Sequence, residues 1–216
     1  MDVIVDNLPS YVDGFLLTLR LTVYAGAAAM VVGLLLAALR VSPLRPFRMT
    51  AAGYVELLRN TPLTLVFFFM YFVFPQFSIL PPVPFFWTAV VCLTLYTSAF
   101  VAEALRSGIN SVGVGQAEAA RSIGLTFGQT LGHVVLPQAI RSVIPPLINV
   151  FIALTKNTSV AAGFAVVELV GTGRRISTAN AGDPWVWVGV AAFYLAITIP
   201  AGLLASRIER KVAFAR

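Results

Sequence analysis

Residues 185–205 read WVWVGVAAFYLAITIPAGLLA, with no Asp, Glu, Lys or Arg. About 20 consecutive apolar residues, wound as a helix, cross the ~30 Å hydrocarbon core of a bilayer. Within lipid only a helix or a closed barrel satisfies its own backbone. Barrel strands alternate polar and apolar residues over about 10 positions, which this stretch does not do. It therefore predicts a transmembrane helix. Four further apolar runs precede it, at about residues 14–39, 51–74, 85–105 and 144–170. The second is entered through the Thr61-Pro62 step. The expected fold is an all-α membrane protein with five transmembrane helices in a single transmembrane domain, residues 1–216.

Composition agrees. Of 216 residues, 58% are hydrophobic and 11% charged, and the mean hydropathy is +0.87. Soluble domains have about 45–50% apolar and about 25% charged residues. A soluble domain, a disordered tail and a disulfide scaffold are thereby excluded. Cys92 is the single cysteine and lies in an apolar run, so no disulfide forms within the chain. The first fourteen residues carry Asp2, Asp6 and Asp13 but no Lys or Arg. A signal peptide needs a basic start, so this segment is expected to be retained.

The charge balance, 15 basic against 9 acidic residues, would suggest nucleic acid as a partner in a soluble chain. In a membrane chain it reports orientation. With the N-terminus outside, the inner side receives Arg40, Arg45, Arg48, Arg59, Arg106, Arg121, Arg141, Lys156, Arg207, Arg210, Lys211 and Arg216, with Arg59 and Lys156 falling within spans. The outer side receives Arg174 and Arg175, with Arg20 in the outer part of the first span. The expectation is N-outside, C-inside, with Tyr11, Trp185 and Trp187 at the outer aromatic belt. Asp183 and Glu168 are available to offset Arg174-Arg175. No nucleic acid is expected as a partner.

The longest polar stretch is the inner loop, about residues 106–141. Residues 116–122 suit a short helix and Gly124 breaks it. A second short helix follows, with Thr126 and Gln129 spaced as a capping box, and Pro137 opens the approach to the fourth span. The loop thus reads as a helical elbow projecting from the membrane. Ala119 and Ala120 allow another backbone to come close, while Leu125 and Phe127 offer apolar contact. Glu118 supplies a charge for the elbow or a partner, or pairs within its own helix with Arg121 or Ser122. The plain alternative is an amphipathic connector lying on the interface.

Glu118-Ala119-Ala120, three residues, Gly124, nine residues, Val134, one residue and Leu136-Pro137 together form a fixed pattern of about 20 residues. It resembles the EAA loop of ABC-importer permeases, with Val134 where that family often has Ile. The flanks narrow the resemblance to permease subunits of polar amino-acid importers of the histidine, glutamine and glutamate type. They are residues 102–109 with Gly115-Gln116, Arg59-Asn60-Thr61-Pro62-Leu63, residues 136–139, and Lys156-Asn157-Thr158-Ser159. The stretches ALRSGINSV (104–112), GQAEAARSIGL (115–125) and IALTKNTS (152–159) are most similar to actinobacterial glutamate permeases. The resemblance runs from about Thr18 to Ser206.

The resemblance implies an ATP-driven importer of polar amino acids, with glutamate as the expected substrate, in the cell membrane. It implies ATPase-coupling roles for Glu118, Ala119, Ala120, Gly124, Leu125, Phe127, Leu136 and Pro137. It also implies two separate ATPase subunits, a second and different permease subunit, and an extracellular amino-acid-binding protein. Ala25 to Ala29 and Gly33 suit close helix packing, and contact with the second permease is one use for them.

No cofactor is expected on this chain; ATP and Mg would be bound by the partner subunits. A phosphate-binding loop needs G-x-x-x-x-G-K-[ST], whereas Lys156 follows Thr155 and Lys211 follows Arg210. His133 stands apart from any cysteine or carboxylate cluster, so neither a metal site nor a catalytic group is expected. Charges inside spans are costly and mark cavities or partners. Lys156 lies 12 residues beyond Ile144, roughly 18 Å along a helix. The expected substrate pathway is therefore Arg59, Thr61, Lys156, Asn157, Thr158 and Ser159. Pairing of Lys156 with Glu56 or Glu103 is the structural alternative. Arg20 either snorkels outward or meets substrate near an outer gate. A self-contained secondary transporter or channel is the alternative function, although internal inverted repeats, its usual mark, are not evident. A subunit with a purely structural place in the assembly is a third.

Overall fold

The computed structural model describes residues 2–77 and 83–213, with side chains to residue 210. Among the described residues the chain is helical, without strands. A short α1 (Asp2–Asp6) leads into α2 (Leu8–Arg40), whose 33 residues span about 50 Å. Then follow α3 (Arg45–Arg59), α4 (Leu63–Phe68), α5 (Phe85–Asn110), α6 (Val114–Ser122), α7 (Phe127–Thr130), α8 (Leu136–Asn157), α9 (Leu169–Ala179) and α10 (Trp185–Ala213).

Among the described residues, four helices are long and apolar enough to cross a membrane: Leu8–Arg40, Phe85–Asn110, Phe127–Phe164 and Trp185–Arg210. Residues 51–74, expected as one span, are instead a broken pair. Arg45–Arg59 and Leu63–Phe77 meet at an angle of 104°. Pro62 is extended, at φ −60° and ψ 135°. A proline donates no backbone hydrogen bond and disfavours helix at the residue before it, so the turn falls at residues 60–62.

The expected fourth span also shifts. The expected second short helix is not separate from it: a wide helical turn, Leu131–Val135, joins α7 to α8, so one helix runs from Phe127, with Pro137, Pro145 and Pro146 inside it. Tight helical turns then run Thr158–Phe164 and stop at Ala165, which is left-handed (φ +62°). Residues 166–168 lead into α9, and the last residues expected in the span, 169 and 170, are the first of α9. The loop is correspondingly shorter than 106–141, since α5 reaches Asn110 and the helix that continues to Phe164 starts at Phe127.

The most extensive packing is α2 on α5, and small residues make it possible. Ala25 and Ala29 are fully buried, Gly26 lies against Phe151 and Leu154, and Gly33 against Val101 and the Ser98 carbonyl. The small-residue stripe is thus occupied within the chain instead of facing a second subunit; only Ala27 remains exposed. A Cβ at Gly33 would overlap the Val101 side chain. Overpacking of this kind costs about 1–3 kcal/mol. Gly33→Leu is expected to lower the unfolding midpoint in detergent and the yield of extractable protein, while Gly53→Leu, with open space around it, changes neither.

Tyr11 is fully buried and its hydroxyl donates to the Val186 carbonyl at 2.9 Å. It ties α2 to α10 and does not stand in an interfacial belt. Trp185 and Trp187 are exposed. Glu168 is fully buried as well, caps α9 through the Val170 and Gly171 N–H groups, and does not offset Arg174-Arg175.

Candidate functional site

The loop between α5 and α8 is built by two local devices. Helix α6 ends in a Schellman turn. The Leu125 N–H donates to the Ala120 carbonyl at 3.2 Å and the Gly124 N–H to that of Arg121 at 3.0 Å. This 6→1 and 5→2 pair requires a left-handed residue, usually glycine, and Gly124 has φ +89°. Ala120 is buried beneath the turn and Leu125 is half-buried, which supplies the apolar contact that accompanies the motif. Helix α7 starts with a reciprocal capping box: the Gln129 N–H donates to Thr126 Oγ1, and the Thr126 N–H donates to Gln129 Oε1.

The hairpin leaves apolar side chains exposed. Ile123 is 80% and Phe127 76% exposed. Ala119, Leu136 and Pro137 are exposed beside them. The Glu118 side chain is exposed, makes no ion pair among the described residues, and only its backbone carbonyl is engaged, by Ser122 Oγ.

At the far ends of α2, α3 and α5 one carboxylate holds three guanidiniums. Glu103 pairs with Arg40 at 2.7 Å, with Arg59 at 3.7 Å and with Arg106. Arg59 is the looser partner, 43% exposed, and its guanidinium lies 5.8 Å from the centre of the Phe100 ring, within cation–π range. Glu103 is thereby committed to arginines. Lys156 is exposed and makes no ion pair among the described residues.

Phe100 also lines a cavity of about 440 Å³, together with Tyr96, Thr97, Asn149, Ala153 and Asn157. Its volume is within the range of small-ligand pockets. The residues alternate at helical spacing: Tyr96 and Phe100 on α5, and Asn149, Ala153 and Asn157 on α8. Of the residues expected along a pathway, Asn157 lines this cavity and Arg59 reaches it through Phe100. Thr158 is buried, its hydroxyl donating to the Thr155 carbonyl, and Ser159 donates to the Lys156 carbonyl. Thr61 donates to the Leu57 carbonyl at the α3–α4 break. Lys156, Thr158, Ser159 and Thr61 do not line the cavity.

Residues 29–214 match the family described as binding-protein-dependent transport system inner membrane component. The chain belongs to that family. This inner membrane component is 40% identical over 212 residues to the probable glutamine ABC transporter permease protein GlnM of Bacillus subtilis, covering 98% of this chain and 97% of the relative. It is also 40% identical over 216 residues to the glutamate transport system permease protein GluC of Corynebacterium glutamicum, covering 95% of each. Among solved structures, an amino acid ABC transporter with histidines superposes with a TM-score of 0.90 at 32% identity, covering 96% of both chains. The inward-facing MetNI methionine ABC transporter shares the fold, with a TM-score of 0.76 at 20% identity. Members of this family are membrane components, not catalytic subunits.

The elbow of this transport component stood out in the sequence because glycine and capping residues act locally. The cavity did not. Tyr96, Thr97, Phe100 and Asn149 carry no charge and resemble ordinary span residues. One signal was available: Asn149 and Asn157, eight residues apart, place two amides on one helix face inside an apolar run, with the small Ala153 between them.

Proposed function

We propose that the chain is a permease subunit of an ATP-driven ABC importer for polar amino acids, with glutamate as the substrate. The observation that carries this reading is the elbow: a capped, rigid hairpin that presents Ile123 and Phe127 to solvent has apolar surface to cover, and a partner subunit covers it. The membrane path has five spans, counting the bent pair Arg45–Arg59 and Leu63–Phe77 as one, with the N-terminus outside and the C-terminus inside. Two ATPase subunits, which hold ATP and Mg, close against the elbows of two permeases. An extracellular binding protein delivers the amino acid, and the second permease completes the pathway. The helices then exchange between outward-open and inward-open arrangements as the partner biases a two-state equilibrium.

Within this reading the cavity beside Asn149 and Asn157 receives the amino acid. Arg59, loosely held and facing Phe100, attracts a second carboxylate. Glutamine and glutamate are both consistent with the relatives' names; the excess of guanidinium over carboxylate at Glu103 favours the acid. The Lys156-Asn157-Thr158-Ser159 turn and Thr61 border the same path.

The test is uptake of a panel of labelled amino acids by proteoliposomes holding the chain with its co-purified partners. ATP-dependent glutamate uptake is expected. Asn157→Ala should raise KM roughly tenfold, the scale of one lost hydrogen bond to a charged group. Transport by the chain alone, driven by an ion gradient without ATP, would overturn the importer reading.

A further inference from the structure

At the end of the bundle where α2 begins, a cavity of about 450 Å³ opens between α2 and α9. Its lining includes Asp13, Arg20 and Arg175, with Ser10 and Thr172. All three charged residues are exposed, and among the described residues none of them is in an ion pair. Two guanidiniums and one carboxylate therefore share a small space without neutralising one another.

Arg20 sits in an apolar stripe. Val12, Leu16, Val23 and Val31 on α2 are 40%, 44%, 63% and 60% exposed. In an inner membrane component such a face meets lipid, where a guanidinium directs its head to the phosphate level. The depth agrees. Arg20 and Arg40 are twenty residues apart on one continuous helix, roughly 30 Å, which is the thickness of the hydrocarbon core. With Arg40 at one interface, Arg20 lies at the headgroup level of the opposite leaflet. Arg175 arrives at the same cavity from α9, which is a different element of the fold.

We propose that this cavity binds the headgroup of an amine-bearing phospholipid. Arg20 and Arg175 take the phosphate, with Ser10 and Thr172 as neutral hydrogen-bond donors nearby. Asp13 takes the ammonium. The acyl chains run down the exposed stripe past Val23 and Val31. The lining charges, two positive and one negative, complement a phosphate and an amine while leaving a net attraction for the anion. The bound lipid adds to the contacts between the start of α2 and α9, which already meet where Gly14 faces Thr172 and Leu169 and where Thr18 accepts from the Leu169 N–H.

The 216-residue chain, extracted with its partners, is reconstituted into nanodiscs of equal phosphatidylethanolamine and phosphatidylglycerol. Lipids retained after extraction are counted by native mass spectrometry, and thermal unfolding is followed in parallel. Retention of phosphatidylethanolamine over phosphatidylglycerol is expected. Arg175→Ala and Arg20→Ala should each reduce it at least about tenfold, the scale of a charge-assisted contact. Arg174→Ala, one position away and outside the lining, should not. Asp13→Asn should shift the retained lipid towards phosphatidylglycerol. Arg20→Lys, which keeps the charge and the fold, should retain more lipid than Arg20→Ala. Unchanged retention in Arg175→Ala with an unchanged unfolding midpoint would overturn the proposal. So would displacement of the lipid by millimolar inorganic phosphate or glutamate, which would make the cavity a site for soluble anions.

Discussion

Glu168→Ala is expected to lower the unfolding midpoint of the chain in detergent by roughly 10 °C, the shift that about 4 kcal/mol produces in a chain of this size. Four donors converge on this buried carboxylate. The Tyr194 hydroxyl donates at 2.8 Å and the Thr18 hydroxyl at 3.3 Å. The Val170 and Gly171 N–H groups donate at 2.9 and 3.1 Å. Thr18 closes the circuit by accepting from the Leu169 N–H at 3.2 Å. Glu168 is fully buried, so truncation leaves these donors in a space that excludes bulk water. Each unsatisfied donor costs about 1–3 kcal/mol. Because the donors come from α2, α9 and α10, the loss also separates three helices. Glu168→Gln retains an acceptor oxygen but turns an N–H₂ towards other donors, so its effect should be intermediate. Glu56→Ala, at an exposed carboxylate, should leave the stability within about 0.5 kcal/mol of the parent and the midpoint nearly unchanged. An unchanged midpoint for Glu168→Ala would show that water or lipid satisfies the four donors.

Glu168 also shows where sequence reading reaches its limit. A carboxylate near Arg174-Arg175 looks like their counter-ion. Two of its four donors are local, but the other two are 150 and 26 residues away, a separation that only the folded chain brings together. Tyr11 is alike: near a terminus and beside Asp13 it resembles a belt residue, but its hydroxyl bonds to Val186, 175 residues on. The apolar runs were legible because burial in lipid imposes one requirement on every residue of a span. Their ends were less so. Pro62 ends a helix, whereas Pro145 and Pro146 remain inside one, and local propensity does not separate these cases. The elbow was legible down to single hydrogen bonds because Gly124, Thr126 and Gln129 act on neighbours in sequence. The hub at Glu103 lies between these extremes. Arg106 is one turn away on the same helix, but Arg40 is 63 residues distant, and only packing of α2 on α5 joins them.

Gly124→Trp is expected to reduce ATP-dependent uptake by about 10- to 100-fold, the range spanned by coupling energies of about 1–3 kcal/mol, while membrane insertion is unchanged and the unfolding midpoint falls by only about 2–8 °C. The two outcomes separate because of the geometry at this residue. No heavy atom outside the immediate chain lies within 4 Å of a Cβ built at Gly124, so an indole has room and no core packing is disturbed. The cost is confined to the backbone. At φ +89° a side chain pays about 1–2 kcal/mol for the left-handed conformation, and the Schellman bonds from Gly124 and Leu125 are the ones strained. That re-aims α7 relative to α6, displacing Phe127 from the position where it faces solvent beside Ile123. An elbow that conveys movement between two subunits depends on that angle. Gly115→Ala provides the contrast: Gly115 lies within α6 with open space around it and a helical backbone, so alanine should support the helix by about 0.5–1 kcal/mol and leave uptake unchanged. Glu118→Lys reverses an exposed charge that has no ion-pair partner among the described residues, so it too should spare stability and impair uptake only through a partner surface. Normal uptake by a stably inserted Gly124→Trp chain would show that the angle of the elbow is not what the partner engages.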